Sequence, residues 1–340
     1  MMKTYKEGNT EIIFPRTKDN AGWFDDCALP RGAGGLGSLG VTQLLVDDFF
    51  MKDGKMPILG YNNSGNTQTA VINAETEYSE TGYSTEDDVR ATNWHYAVAG
   101  ASASGDSHVV APKNTFNMYC NREPRFYISV VYNEQYHWGK GKATNFFFNG
   151  EDGQPSHDNP SAGYLIRKHV DPTFVHSTNT GTYKSRQGIL YRLAEAYLSY
   201  AESALEYSIA KGTYNSEKED IVKYVNKIRE RAGIPQYGTS GLGIPADEEE
   251  MRKLIRRERR VEMNCEGGLR WFDLRRWKEA ENVLNGNFYG MNMLAEKDNR
   301  DDFYKRVSYQ TRKFISYWWP IPQDEIDKNP NLKQMPGWMN

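Results

Sequence analysis

Aromatic side chains stand beside amide and carboxylate side chains at several places where the chain is rich in turn-forming residues. The first is the stretch after residue 15, where Trp23, Phe24 and Asp25 lie close to flexible glycines. The combination recurs at Tyr61 with Asn66, and at Tyr83, Trp94 and Trp138. A flat ring can stack on the apolar C–H face of a sugar, and a polar group beside it can bind the hydroxyls. We predict that these residues, with Trp23 and Phe24 foremost, bind an oligosaccharide.

The same rings have a structural alternative. A tryptophan in a loop can pack beneath it as a small local core, and rings can close the ends of hairpins. A binding platform needs two or three rings to converge in space, which the sequence leaves open. In contrast, five further rings lie in segments of helical or extended character, and we expect them to pack: Trp271, Phe272, Trp277, Trp318 and Trp319.

Residues typical of catalysis do not occur in catalytic spacing. The histidines avoid the H-E-x-x-H and H-x-E patterns, and neither a G-x-S-x-G nor a Walker motif is present. The carboxylate pair of a glycosidase could be sought in Asp25 with Asp26 or in Asp87 with Asp88. Adjacent acids in loops are usually solvated, however. We therefore predict a binding protein with no catalytic residues, no cofactor and no metal.

Composition excludes several other classes of protein. The 340 residues include 42 Lys plus Arg and 45 Asp plus Glu, a net charge of −3, which argues against a nucleic-acid partner. Aromatic residues make up 13%, which argues against disorder. The three cysteines are far apart and are expected to be buried thiols. No apolar run is long enough to cross a membrane, and the first ten residues do not resemble a secretory signal.

The elements that position these residues fall into two regions, which we expect to form one continuous domain. Residues 1–188 are a loop-rich region with short candidate strands and one helix. The strands are predicted at Glu11–Phe14, Arg125–Tyr132 and Gly163–Val170, and the helix at Val41–Phe50.

Residues 189–340 have helical periodicity and predict a scaffold. Helices at Ile189–Lys211 and about 217–232 should form an antiparallel hairpin of the tetratricopeptide type. A third helix is predicted at about Asp247–Cys265, and a fourth from Leu269 or Trp271 to Leu284. After these helices, the chain should run extended over residues 314–319 and then be mostly irregular because of its prolines.

Glu258 is in register with the apolar stripe of the third predicted helix. A carboxylate on a packed face needs a cationic or hydrogen-bonding partner to offset its desolvation. We expect Arg270, Arg275 or Arg192 to supply it.

Four blocks in this order resemble the SusD/RagB family. They are RLAEAYLSYA (192–201), YVNKIRERAGIP (224–235), LIRRERRVEMNCEGGLRWFDLRRW (254–277) and PIPQDEIDKNPNLKQMPG (320–337). Segments further upstream, NTEIIF (9–14), VTQLLVDDFFMKDG (41–54) and EPRFYISVVY (123–132), are also similar to the family, so the resemblance spans nearly the whole chain.

The resemblance implies a mainly α-helical SusD-like fold with a tetratricopeptide-type hairpin, an irregular loop-rich region and a few short β-strands. It also implies a glycan receptor that forms a lid on a SusC-like TonB-dependent transporter, on the external face of the outer membrane. The family is anchored there by an N-terminal lipid. Some members bind peptides, and a lid with little affinity of its own is a further alternative. We interpret the sequence as the C-terminal part of a longer protein whose further helices would cover an apolar face of the hairpin.

Overall fold

The computed structural model describes residues 8–19, 22–91, 107–170, 186–239 and 241–338. Its helices are α1 (Gly22–Ala28), α2 (Gln43–Asp48), α3 (Pro124–Ser129), α4 (Leu193–Lys211), α5 (Tyr214–Ala232), α6 (Glu248–Glu262), α7 (Leu269–Arg276), α8 (Ala280–Val283), α9 (Arg300–Phe303) and α10 (Gln323–Lys328). Its strands are β1 (Ile12–Asp19), β2 (Ile58–Ser64), β3 (Thr67–Ile72), β4 (Asp88–Ala91), β5 (Ser107–Ala111), β6 (Val130–Val131), β7 (Tyr136–His137), β8 (Lys142–Ala143), β9 (Leu165–Ile166), β10 (Arg186–Arg192), β11 (Gly286–Met291) and β12 (Arg306–Arg312).

Helices α4 and α5 form the predicted hairpin, and α6 packs against it. Only Gly212 and Thr213 separate the two helices, so they run antiparallel. Gly233 ends α5 in the left-handed conformation, with φ 72°, and its N–H donates to the Glu230 carbonyl, as at a typical helix C-terminus. Small residues of α4 face larger ones of its neighbours in one buried cluster, which includes Ala201, Leu205, Val222, Val225, Met251 and Ile255.

The prediction that the first hairpin helix begins at Ile189 is wrong. Residues 186–192 form β10, which pairs antiparallel with β1 near the other end of the chain, and α4 begins only at Leu193. Leu190, which lies in this strand, is exposed. Pairing with a distant strand has overridden a local helical pattern.

The strand predicted over Arg125–Tyr132 is also wrong for most of its length. Pro124 occupies the first turn of α3, where its fixed φ favours a helix, and only Val130 and Val131 are in a strand. Neighbouring Phe126 and Tyr127 are both fully buried, as on the inner side of a helix and unlike alternating strand residues. The candidate strand at 163–170 reduces to β9, which pairs with β6.

The largest sheet joins strands from both regions of the chain. Its order is β11, β12, β3, β2, and all of its neighbouring strands are antiparallel. The boundary predicted at residue 188 falls within β10. The main apolar core lies beneath the loop-rich region and includes Phe49, Phe50, Phe126, Tyr132 and Tyr164.

Glu258 is fully buried on α6 as expected, but the predicted partners are wrong. Its Oε1 atom lies 2.6 Å from Nη1 of Arg125, an ion pair without hydrogen-bond alignment. Its Oε2 atom accepts a hydrogen bond from Arg229 at 3.1 Å. These arginines come from α3 and α5. Arg192 instead binds Glu262 and Glu266.

Candidate functional site

Helix α1 presents Trp23 to solvent. The Trp23 side chain is 73% exposed, whereas Phe24 packs against the main core and Asp25 is fully buried. The chain after α1 folds back over it, because the Leu36 N–H donates to the Asp26 carbonyl and the Ser38 N–H to the Cys27 carbonyl. This short helix therefore separates an exposed indole from a buried carboxylate.

Asp152 fixes the loop after α1 to the segment 137–152. Its Oδ1 atom accepts the Gly32 N–H at 2.7 Å, and its Oδ2 atom accepts the Asn145 N–H at 2.8 Å. Lys140 forms a buried ion pair with the same carboxylate. Arg31 adds a hydrogen bond from Nη2 to the Gly150 carbonyl at 3.0 Å. We call the surface formed by residues 22–40 and 137–152 the Trp23–Trp138 face.

Trp138 lies between two polar groups on this face. Its ring stacks on the His137 imidazole with 4.0 Å between centroids and 23° between planes. On the Trp138 ring also lies the Arg167 guanidinium, whose carbon is 4.4 Å from the ring centroid, a cation–π contact. The three side chains form a layered unit, in which His137 ends β7, Trp138 follows it and Arg167 follows β9.

Burial determines the charge states in this unit. It lowers the pKa of His137 well below the ordinary value, and the positive charges of Arg167 and Lys140 lower it further, so His137 is neutral at pH 7. Burial also lowers the pKa of Arg167, to about 9. Arg167 therefore remains a cation at neutral pH.

The other predicted site residues lie elsewhere. Tyr61 is half-buried, and its hydroxyl donates to Oδ2 of Asp47 at 2.9 Å. Asn66 is exposed at the turn between β2 and β3, and its carbonyl accepts the Ser308 N–H. Trp94 lies outside the described residues.

Tyr83 belongs to a separate surface cluster. Its hydroxyl donates to Oδ1 of Asp301 at 2.7 Å, and the Arg300 guanidinium carbon lies 4.1 Å from its ring centroid. Arg300 is in turn paired with Glu134 at 2.6 Å. Of the predicted site residues, Trp23 is exposed, Trp138 is partly exposed, and Phe24 and Asp25 lie against or within the core. Tyr61, Asn66 and Tyr83 have other surroundings.

One of the two acidic pairs nominated from the sequence, Asp87 with Asp88, has structural partners. Asp88 is bidentate with Arg90, at 2.6 and 2.7 Å, and Oδ1 of Asp87 accepts the Lys113 N–H. Within the described parts of the chain, no group of three or more His, Cys, Asp or Glu side chains is arranged to hold a metal ion. Over the same residues, no helix has the length and hydropathy needed to span a bilayer.

Two sequence expectations about burial are wrong. Phe272, Trp318 and Trp319 are each about 60% exposed, because α7 turns one side outward and residues 314–319 follow the surface. Trp277, by contrast, is partly buried and donates its indole N–H to Glu202. Cys265 is exposed, whereas Cys27 and Cys120 are buried.

Sequence reasoning missed Lys140 and Asp152, which belong to the Trp23–Trp138 face, and Arg167, which contacts Trp138. Nothing in their spacing connects them with Trp23 or Trp138, since the connection depends on how the loops fold. An arginine next to a short apolar strand was the one available signal, and it is weak.

Comparison with known proteins gives one family. The SusD family matches residues 3–338. SusD-like protein P2 from Formosa agariphila is 31% identical over 156 residues, which is 45% of this chain and 26% of that protein. The chain thus spans about a quarter of the length of this curated relative.

Solved structures agree on the fold. A SusD-like protein from Bacteroides fragilis is 27% identical with a TM-score of 0.65, over 98% of this chain and 55% of that one. A SusD-like carbohydrate-binding protein from the same species is 20% identical with a TM-score of 0.64, over 96% of this chain and 55% of that one. These similarities confirm the predicted SusD-like fold.

Proposed function

Because this chain belongs to the SusD family, we propose that it is a non-catalytic receptor that binds glycans through the Trp23–Trp138 face. The observation that carries the proposal is the 73% exposure of Trp23 on a helix whose following loop is fixed to the segment of Trp138. An exposed indole offers a flat apolar surface on which the C–H face of a pyranose can stack.

The layered unit at Trp138 supports the same proposal. A glycan receptor needs aromatic surface for affinity and rigid polar groups for specificity. Packing against His137 and Arg167 fixes the partly exposed Trp138 ring, so part of its aromatic surface is held in one position. Asp152, the buried acid between the two segments of this face, holds Gly32, Asn145 and Lys140 and so serves the fold.

The proposal includes the setting expected for the family. The chain would act at the external face of the outer membrane, in a lipid-anchored protein, and deliver its ligand to a SusC-like TonB-dependent transporter. Co-purification of the protein from membranes with a SusC-like transporter tests that partnership.

Isothermal titration against a panel of plant and host polysaccharides tests the binding function. Trp23→Ala should abolish binding of the preferred glycan, while Trp318→Ala, which removes an indole of similar exposure elsewhere, should leave it unchanged. Equal effects of the two substitutions would contradict the assignment to this face. If the titration gives a heat of binding with oligopeptides and none with glycans, the protein is a peptide receptor and the glycan proposal is wrong.

A further inference from the structure

Four aromatic rings are exposed where α7 meets the segment 314–319. Phe272, Trp318 and Trp319 are each about 60% exposed, and Trp271 is 37% exposed. The rings of Trp271 and Trp319 are neighbours, with 6.5 Å between their centroids. We call the surface formed by these four residues the Trp271–Trp319 patch. Exposed apolar patches commonly mark protein–protein or membrane contacts, so this group of rings needs an explanation.

Arg275 holds the rings of this patch in place. Its guanidinium carbon lies 5.2 Å from the centroid of Trp271 and 5.0 Å from that of Trp319. Its N–H groups donate to the carbonyls of Ser316 and Tyr317, which fixes the backbone before the two indoles to α7. The rings are therefore presented to solvent on a fixed backbone.

The patch is bordered by positive charge. Arg275 keeps its charge beside the rings, because its carbonyl acceptors have no net charge. Lys278 adds a second cation, with Nζ 4.3 Å from the centroid of Tyr317, and Lys313 is exposed immediately before the segment. Within the described ranges, none of these three cations is paired with a carboxylate.

The acids in this part of the chain do not cancel that charge. Asp273 is already paired with Arg259 at 2.7 Å, and Glu279 is paired with Arg256. Glu281, exposed on α8, offsets one cation at most. A net positive charge therefore remains beside the rings, although the whole chain has a net charge of −3.

We propose that the Trp271–Trp319 patch docks on the surface of a lipid bilayer that carries anionic headgroups. Indoles flanked by basic side chains are typical of membrane–water interfaces, where the ring contacts apolar chains and its N–H reaches the polar headgroups. Lys and Arg near such a surface are attracted to anionic lipids. The inference goes beyond glycan binding: it adds a direct contact to the lipid-anchored setting proposed above and uses no residue of the Trp23–Trp138 face.

The charge of the patch disfavours two other occupants. A second copy of the chain, related by a two-fold axis, would place the same cations opposite one another. A glycan needs polar groups beside the rings, but the guanidinium of Arg275 already donates to two backbone carbonyls. An anionic bilayer matches both the rings and the cations.

Co-sedimentation with lipid vesicles measures this docking. Vesicles of equal parts phosphatidylcholine and phosphatidylglycerol are compared with vesicles of phosphatidylcholine alone. We expect the protein to partition at least about tenfold more strongly onto the anionic vesicles. The preference should weaken when NaCl is raised from about 0.1 M to about 1 M, because salt screens exposed charges.

Two double variants assign the docking to the patch. Trp318→Ala/Trp319→Ala removes two exposed indoles and should lower partitioning onto the anionic vesicles at least about tenfold. Lys278→Gln/Lys313→Gln removes two unpaired cations and should reduce the preference for anionic over neutral vesicles severalfold. If the tryptophan variant fails to fold, as judged by circular dichroism, the lysine variant decides the question.

Matched controls remove the same groups elsewhere. Trp23→Ala removes an indole that is 73% exposed, and Lys142→Gln/Lys305→Gln removes two cations that are 61% and 68% exposed. Both controls should partition like the wild type. Equal losses in a patch variant and its control would overturn the assignment to this patch.

The remaining outcomes separate docking from the glycan-binding function. Trp23→Ala should lose glycan binding and keep vesicle docking, and Trp318→Ala/Trp319→Ala should show the opposite pattern. Absence of partitioning, or equal partitioning onto both kinds of vesicle, overturns the docking and leaves the glycan proposal intact. If the protein ignores vesicles but forms a dimer that Trp318→Ala/Trp319→Ala dissociates in sedimentation velocity, the patch is an interface between two copies and the bilayer proposal is wrong.

Discussion

Neutralising Glu258 without changing its shape tests how the buried ion network holds α6 against the other helices. The side chains of Glu258 and Arg229 are both 0% exposed and are joined at 3.1 Å. Glu258→Gln leaves Arg229 without the carboxylate that pairs with it, while Arg125 keeps Glu123 and Glu262. The main consequence is thus one uncompensated buried guanidinium.

The expected magnitude follows from that orphaned charge. Removing one partner of a buried ion pair typically lowers the free energy of unfolding by about 3–5 kcal/mol. Arg229 still donates to the carbonyls of Pro235 and Gly54, at 2.8 and 3.0 Å, which favours the lower end of this range. With an m-value of about 3 kcal/mol per M urea, the midpoint should fall by about 1 M.

Urea unfolding followed by circular dichroism and tryptophan fluorescence measures this change. Glu249→Gln on the same helix is the matched control, because its carboxylate is 54% exposed and pairs with Arg252 only at the surface. Glu249→Gln should lower the free energy of unfolding by less than about 1 kcal/mol. Adding Arg229→Met to Glu258→Gln should restore part of the loss by removing the unpaired charge. The reasoning is refuted if Glu258→Gln lowers the midpoint no more than Glu249→Gln does.

Two further perturbations test the same scaffold. Burial would raise the pKa of Glu262, but the charges of Arg192, Arg231 and Arg125 hold it well below the ordinary value. The ionised carboxylate therefore contributes its full stabilisation above the unfolded pKa of about 4.3, and this contribution is lost as the pH falls. We expect the urea midpoint to decrease as the pH is lowered below about 4.5, and to decrease less steeply in Glu262→Gln. An equally steep decrease in that variant would exclude Glu262 as the cause. Gly153→Ala should lower the free energy of unfolding by about 1–3 kcal/mol, because its new Cβ would overlap the carbonyl oxygens of Phe147 and Phe146. In thermal melts, Gly243→Ala, whose Cβ would meet nothing within 4 Å, should behave as wild type, and equal melting temperatures for the two variants would argue against the overlap.

Sequence reasoning succeeded where structure is decided locally. The end of α5 at Gly233 follows from glycine's tolerance of positive φ, and Asp247 caps α6 by accepting the Glu250 N–H. The same reasoning failed at Ile189–Arg192, where the deciding contact is a strand from the other end of the chain. Periodicity within a segment contains no information about such a partner.

The buried carboxylate of Glu258 is an intermediate case, in which the sequence predicted its burial but not its partners. The register of Glu258 was enough to predict that its carboxylate is buried and needs a cation. It could not choose among the arginines, since that depends on how α3 and α5 approach α6. The choice of Arg125 and Arg229 is a property of the assembled helices, whereas the need for a partner is a property of one helix.

Exposure of aromatic rings alone does not distinguish a ligand platform from other surfaces. Trp271 and Trp319 are exposed and surround Arg275, yet this arginine donates to the carbonyls of Ser316 and Tyr317. The cation there fixes the C-terminal segment to α7, so its donors serve the fold. At Trp138, by contrast, the indole N–H and the imidazole N–H below it have no acceptor among the described residues. Buried donors without an acceptor, rather than an exposed ring, are therefore what distinguishes the surroundings of Trp138 from those of Trp271 and Trp319.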